Sequence, residues 1–193
     1  MNAVQAVRPA MDAIKKIPTS LPGVFILEPR VFGDERGFFF ESYNEQAMAG
    51  IGITEKFVQD NHSCSSRNVL RGLHYQVRHP QGKLVRAAEG EILDVAVDMR
   101  RSSPSFGRWE AVRLSGENKR MLWIPVGFAH GFRVISDKAH VLYKATDFYA
   151  PEHERTLAWN DPDLKINWEL DGEPTVSAKD QRGAAFRDAQ SFE

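Results

Sequence analysis

Within Asn68–Gln76 (NVLRGLHYQ), a cation, a glycine and a titratable imidazole fall inside four residues of strand-like sequence: Arg71, Gly72 and His74. A guanidinium can grip an anion, and an imidazole with an ordinary pKa of about 6.5 can take or give a proton near neutrality. A plain two-faced strand would send Arg71 and His74 to opposite sides. Gly72 interrupts the alternation, so a bulge is expected to turn both toward one side. Each residue also has a blander reading. One histidine among six is often a hydrogen-bonded structural group, and a lone arginine is usually a surface ion-pair partner. Tyr143, in VLYKA, shares a strand-like run with His140, Lys144, Thr146 and Asp147, where a buried phenol could donate a proton. A ring in the core with its hydroxyl at the rim is the more economical reading of that tyrosine alone. Lys83, in QGKLVR, could stabilise an oxyanion or simply be a solvated strand residue.

Other chemistries lack their residues. No His-x-His pair occurs, and His74-Tyr75-Gln76 lacks the second imidazole of a small-barrel metal site, so no metal is expected. GxGxxG and GxxxxGK[ST] are both missing, which removes the usual nucleotide phosphate loops. Lys plus Arg number 25 against 26 Asp plus Glu, for a net charge of -1. No global field therefore favours nucleic acid or an anionic membrane, and an anionic ligand must be held by a local cluster. Cys64 is the single cysteine, so it supports neither an internal disulfide nor a thiolate zinc cage and fits a reducing cytoplasm. Residues 1–16 hold Arg8, Asp12, Lys15 and Lys16 and no long apolar run, unlike a signal peptide or membrane anchor.

The elements that must position these groups read as strands. With 193 residues, 42% of them hydrophobic, the chain can bury a substantial core and is expected to form one domain over residues 15–193 after an N-terminal extension, 1–14. Strand-like runs cover Val24–Leu27, Phe38–Ser42 and Lys56–Asp60, with a helix expected near Asn44–Gly50. The clearest strand is Ile92–Met99, where Leu93, Val95, Val97 and Met99 alternate with Ile92, Asp94, Ala96 and Asp98. Arg108–Leu114, Met121–Ile124, Gly131–Ile135 and Ala139–Tyr149 continue the pattern. The turns at 115–118 (SGEN) and 136–138 (SDK) suit hairpins. Many short strands with few helices predict an all-β antiparallel sandwich or jelly roll whose mouth can hold a ligand.

From about Lys15 onward the chain resembles the dTDP-4-dehydrorhamnose 3,5-epimerases, cupin-type jelly-roll enzymes of nucleotide-sugar metabolism. The resemblance rests on VFGDERGFFFES (31–42), FVQDNHS (57–63), NVLRGLHYQ (68–76), QGKLVR (81–86), LWIPVGFAHGF (122–132) and VSAKD (176–180), in the family's order. It implies His74 as proton-abstracting base, Tyr143 as proton donor on the opposite face of the sugar, Asp180 as the group that orients His74, and Lys83 at the developing enolate oxygen. It further implies substrate contacts from Arg36, Glu41, Gln59, Asp60, Asn61, Arg71, His130, Glu154 and Lys179, with Tyr149 stacking on thymine. Such a reaction needs no redox cofactor. The family's equivalent of Arg36 reaches the site from a neighbouring subunit, so a homodimer is implied as well. Two features depart from the pattern: the N-terminal extension, and Phe148 where relatives often carry a tyrosine, which strand alternation would place opposite Tyr149. Epimerases acting only at carbon 3 or only at carbon 5 share these motifs. A non-catalytic sugar-nucleotide-binding jelly roll is the alternative of a different class.

Overall fold

A computed structural model describes residues 14–193; most of the expected N-terminal extension lies outside the described residues. Among the described residues β1 (Ile14–Pro18) and β2 (Phe25–Pro29) come first, followed by a small hairpin, β3 (Phe32–Asp34) and β4 (Gly37–Phe39). The helix appears where expected, as α1 (Glu45–Gly50), because the Asn44 side chain accepts from the Ala47 amide and caps its first turn. Then come β5 (Gln59–Ser66), β6 (Val69–Gln76), β7 (Lys83–Glu89), β8 (Glu91–Asp98), β9 (Trp109–Ser115), β10 (Met121–Ile124), β11 (Phe128–Val134) and β12 (Lys138–Ala145). Two short strands, β13 (Glu154–Thr156) and β14 (Thr175–Val176), and a 3₁₀ turn at Asp180–Arg182 complete the parts that matter for the site.

Two sheets face each other as a jelly roll. One runs β1-β2-β10-β7-β12-β5; the other runs β13-β6-β11-β8-β9, with β14 alongside β6. Every pairing among the long strands is antiparallel, and only β14 joins in parallel. The all-β expectation holds, but two turns read as hairpins are not hairpins. The 115–118 turn joins β9 to β10, and the 136–138 turn joins β11 to β12; each links strands of different sheets. Even the one-residue link at Gly90, between β7 and β8, crosses from sheet to sheet. Gly90 has φ +73°, and an added Cβ would meet the Lys138 carbonyl oxygen at 2.0 Å, so only glycine fits this crossing.

β8 is buried more fully than its alternation alone shows. The face of Leu93, Val95, Val97 and Met99 is apolar, as the alternation implies, and the other face is buried as well. Ile92 and Ala96 pack between the sheets with Val85, Leu122, Phe132 and Val141, whereas Leu93, Val95, Val97 and Met99 pack on the outer side under Leu157, Leu164 and Trp168. Fully burying each such aliphatic side chain is worth about 1.5–3 kcal/mol. The same alternation turns Asp94 toward the interior with Ile92 and Ala96, where its carboxylate must find a partner. Four strand-like runs have clearly different bounds in the structure: Lys56–Asp60 contributes only its last two residues to β5, Phe38–Ser42 overlaps β4 only at Phe38 and Phe39, the strand expected over Gly131–Ile135 already starts at Phe128, and the strand expected over Ala139–Tyr149 ends at Ala145. No helix among the described residues is long and apolar enough to cross a membrane.

Candidate active site

The bulge expected at Gly72 is present on β6. His74 is opposite His130 on β11 and Arg71 is opposite Phe132, so three steps on β6 match two on β11. The backbones touch here: a Cβ on Gly72 would lie 2.6 Å from Gly131 Cα, and one on Gly131 would lie 2.6 Å from the Arg71 carbonyl oxygen. Gly72 also has φ +121°, which disfavours a side chain whatever the space. The facing glycines let the chain turn Arg71 and His74 onto one wall, and both line an interior cavity of about 730 Å³ between the sheets.

His74 Nε2 lies 2.5 Å from Asp180 Oδ1. With Nε2–H donating to that carboxylate, the imidazole lone pair is left on Nδ1. Asp180 is itself fixed twice: its Oδ2 accepts the Gly72 amide at 3.3 Å, and its own amide donates to Ser177 Oγ at 3.1 Å. Burial pushes the Asp180 pKa up, but the bonds from His74, Gly72 and Ser177 outweigh it and hold the carboxyl below its usual range. The pair is therefore anchored by the same bulge that aims His74.

Tyr143 lines the same cavity from β12, in the opposite sheet. Burial, reinforced by the negative Glu154, raises its pKa, so the phenol keeps its proton at neutrality. Lys83, on β7 beside β12, is 7% exposed, and burial pulls its pKa down to about 8 against the opposing pull of Glu154 and Asp94. His130 faces the cavity while its Nε2 lies 2.9 Å from Asp94 Oδ2, and Asp94 is fully buried. Burial raises the Asp94 pKa, and His130 and Lys83 only partly offset it. Arg71 is steadied at 3.0 Å by its Nε donating to Ser65 Oγ.

Along β5, period-two alternation aims Gln59, Asn61 and Ser63 at the cavity. Gln59 Nε2 donates to Asn61 Oδ1 at 3.0 Å, while Asn61 Nδ2 and Ser63 Oγ are buried with no hydrogen-bond partner among the described residues. Asp60, between them, points to the outer face of the sheet and pairs with Lys144 at 2.8 Å, so it does not line the cavity with its neighbours. Glu154, Lys179 and Tyr149 close the cavity mouth: Glu154 Oε2 accepts from the Tyr149 hydroxyl at 2.8 Å and meets Lys179 Nζ at 2.5 Å. Phe148 is exposed and, unlike Tyr149, is not part of the lining.

Eleven of the fourteen residues singled out in the sequence surround this one cavity; Asp60, Arg36 and Glu41 do not. Arg36 stands at the tip of the β3–β4 hairpin, paired with Asp34, and Glu41 accepts from the Asn44 side chain near α1 at 3.1 Å. The sequence reading passed over Asp94, Ser65 and Ser177, which support His130, Arg71 and Asp180. Asp94 carried a usable signal, because an acid inside an apolar strand must be paired. The two serines carried none.

A family model described as dTDP-4-dehydrorhamnose 3,5-epimerase matches residues 18–188. The dTDP-4-dehydrorhamnose 3,5-epimerase of Pseudomonas aeruginosa is 61% identical over 180 residues, spanning 93% of this chain and 99% of that relative. Among solved structures, dTDP-6-deoxy-D-glucose-3,5-epimerase from Legionella pneumophila, in complex with dTDP-4-keto-L-rhamnose, is similar with a TM-score of 0.90 and 49% identity over 92% of this chain and 95% of that one. A 3'-monoepimerase from Streptomyces bikiniensis in complex with dTDP-quinovose is similar with a TM-score of 0.83 and 32% identity, covering 89% of this chain and 87% of that one. Sheet order, cavity and chain-long similarity lead to one assignment: the protein belongs to the dTDP-4-dehydrorhamnose 3,5-epimerase family.

Proposed function

We propose that the protein inverts carbons 3 and 5 of dTDP-4-dehydro-6-deoxy-D-glucose to give dTDP-4-dehydro-L-rhamnose, the epimerisation step of dTDP-L-rhamnose synthesis. The observation that carries this reading is the opposition of His74, held by Asp180 on one sheet, to Tyr143 on the other, across a single cavity. The ketone at carbon 4 acidifies the hydrogens on carbons 3 and 5. His74 Nδ1 removes one of them, and the electron pair moves onto the ketone oxygen as an enolate. Asp180 stabilises the imidazolium that forms, and Lys83 faces the enolate oxygen as a cation. The Tyr143 phenol then returns a proton from the opposite face. A positioned base of this kind contributes about 10² to 10⁴ in rate. No electrons leave the substrate, so the chemistry is complete without a redox cofactor.

Arg71 is positioned to neutralise the diphosphate, with Gln59, Asn61, His130 and Lys179 along the same walls supporting substrate contact and Tyr149 supplying a ring for thymine. Arg36 is assigned to the partner's site in a homodimer. Its exposed hairpin, which carries Phe32, Phe38 and Phe39 on a surface 51%, 61% and 66% exposed respectively, supports that assembly. Glu41 belongs with this arm, and Asp60 acts through its strand more than through its outward carboxylate.

Incubation with the 4-keto substrate in heavy water tests the reading. Two exchanged positions are expected, and one would assign a single epimerase such as the 32% identical monoepimerase relative. His74→Asn is expected to abolish exchange while dTDP binding, followed by calorimetry, stays within about threefold; the size follows from removing a group that acts on the sugar and not on the nucleotide. Unchanged affinity with no exchange in either protein would leave a sugar-nucleotide-binding jelly roll.

A further inference from the structure

The Tyr149 hydroxyl has no part in stacking, yet it is committed to a specific bond. Stacking needs only the ring face. Tyr149 is 52% exposed at the mouth, its amide donating to Gln59 Oε1 at 2.9 Å and its hydroxyl to Glu154 Oε2 at 2.8 Å. Glu154 is on β13, where it pairs with Gln76 of β6, two residues along that strand from His74. The same Oε2 holds Lys179 at 2.5 Å, and Lys179 directly precedes Asp180, the partner of His74. The Glu154 side chain is only 14% exposed, while Tyr149 and Lys179 reach it from the half-exposed rim, so the carboxylate is the buried centre of two charge-assisted bonds.

We propose that Tyr149, Glu154 and Lys179 form a latch that couples occupation of the nucleobase platform to the alignment of the His74–Asp180 base, with Glu154 as a positioning residue. The inference rests on the epimerase reading of the cavity. The bonds to Gln59 and Glu154 set the orientation of the Tyr149 ring, so a ligand that stacks best on the ring in that orientation contacts this conformer more fully than others and favours it. Glu154 in turn fixes Lys179, and with it the start of the turn that presents Asp180. Fragments without the nucleobase would then bind a site whose base is poorly aligned.

Tyr149→Phe separates the latch from stacking, because it keeps the ring and removes one bond. In the full-length protein, dTDP affinity is expected to stay within about twofold of wild type while kcat for heavy-water exchange falls about tenfold, the size of one lost charge-assisted hydrogen bond. Glu154→Gln, which still accepts from the phenol, should fall less than Glu154→Ala. The double variant Tyr149→Phe/Glu154→Gln should lose less than the product of the two single losses, as residues acting through one bond do. Tyr149→Phe with wild-type kcat would overturn the latch, as would equal losses in dTDP affinity and kcat that track a lowered melting temperature. A wild-type protein without exchange would instead overturn the epimerase reading beneath it.

Discussion

At the scale of single residues, burial and charge divide the work among groups of similar type. Lys83 and Lys179 are both amines at one cavity, but Lys179 is half-exposed at the mouth while Lys83 is buried, and burial pulls the Lys83 pKa down to about 8. As the cation that stabilises an enolate, it works only while protonated. The rate of exchange is therefore expected to fall as pH rises through about 8, and Lys83→Arg, which stays charged, should move that alkaline limb upward even as its bulk lowers the maximum. The sign for stability is opposite. The unfolded lysine titrates near 10.5, so between about 8 and 10.5 the unfolded chain binds more protons than the folded one, and this residue's penalty of about 3 kcal/mol is relieved as pH rises through that window. A melting-temperature series should find Lys83→Met losing that rise. In the sequence, Lys83 was one polar residue in a strand, and nothing in its spacing foretold its burial. The long motifs around it carried the identification, whereas composition and alternation left His74 one of six histidines.

At the scale of elements, the bulged strand β6 is the piece on which the site depends. Gly131 has no positive φ and would tolerate a side chain by backbone conformation alone, yet the Arg71 carbonyl oxygen leaves it no room. Gly131→Ala is expected to lower stability by about 1–3 kcal/mol, as overpacking does, measured by denaturant unfolding. It should also lower exchange beyond what the remaining folded fraction explains, since β11 must move away from His74. A variant that unfolds more readily but retains full activity per folded molecule would contradict this account. The strands themselves were legible because alternation is a property of each strand, and β10 was bounded correctly from Met121 to Ile124. Their connections were not. A turn sequence records its local bend, but whether the next strand stays in its sheet or crosses to the other depends on partners far along the chain, such as β7 for β12 and β8 for β11.

At the scale of the whole molecule, the proposed homodimer would have the exposed aromatic hairpin complete the site of a second subunit. If Arg36 works across the interface, a Arg36→Ala chain and a His74→Asn chain are each inactive as homodimers but complementary when mixed. Random reassembly of equal amounts makes half the dimers mixed, each with one intact site, so about a quarter of wild-type exchange should return. No recovery after subunit exchange, checked by native mass spectrometry, would place Arg36 in its own chain's site or outside the chemistry. The one-cavity arrangement also has a consequence for how the enzyme comes into being. His74 and Asp180 are 106 residues apart in sequence, and Asp180 lies beyond every long strand of both sheets. On the ribosome the imidazole emerges well before its carboxylate, and a nascent chain that has already paired β5 to β12 and β6 to β11 still lacks a working base. Catalytic competence thus arrives only after every long strand of both sheets has been made, so the base is completed by the segment that closes over a barrel already paired.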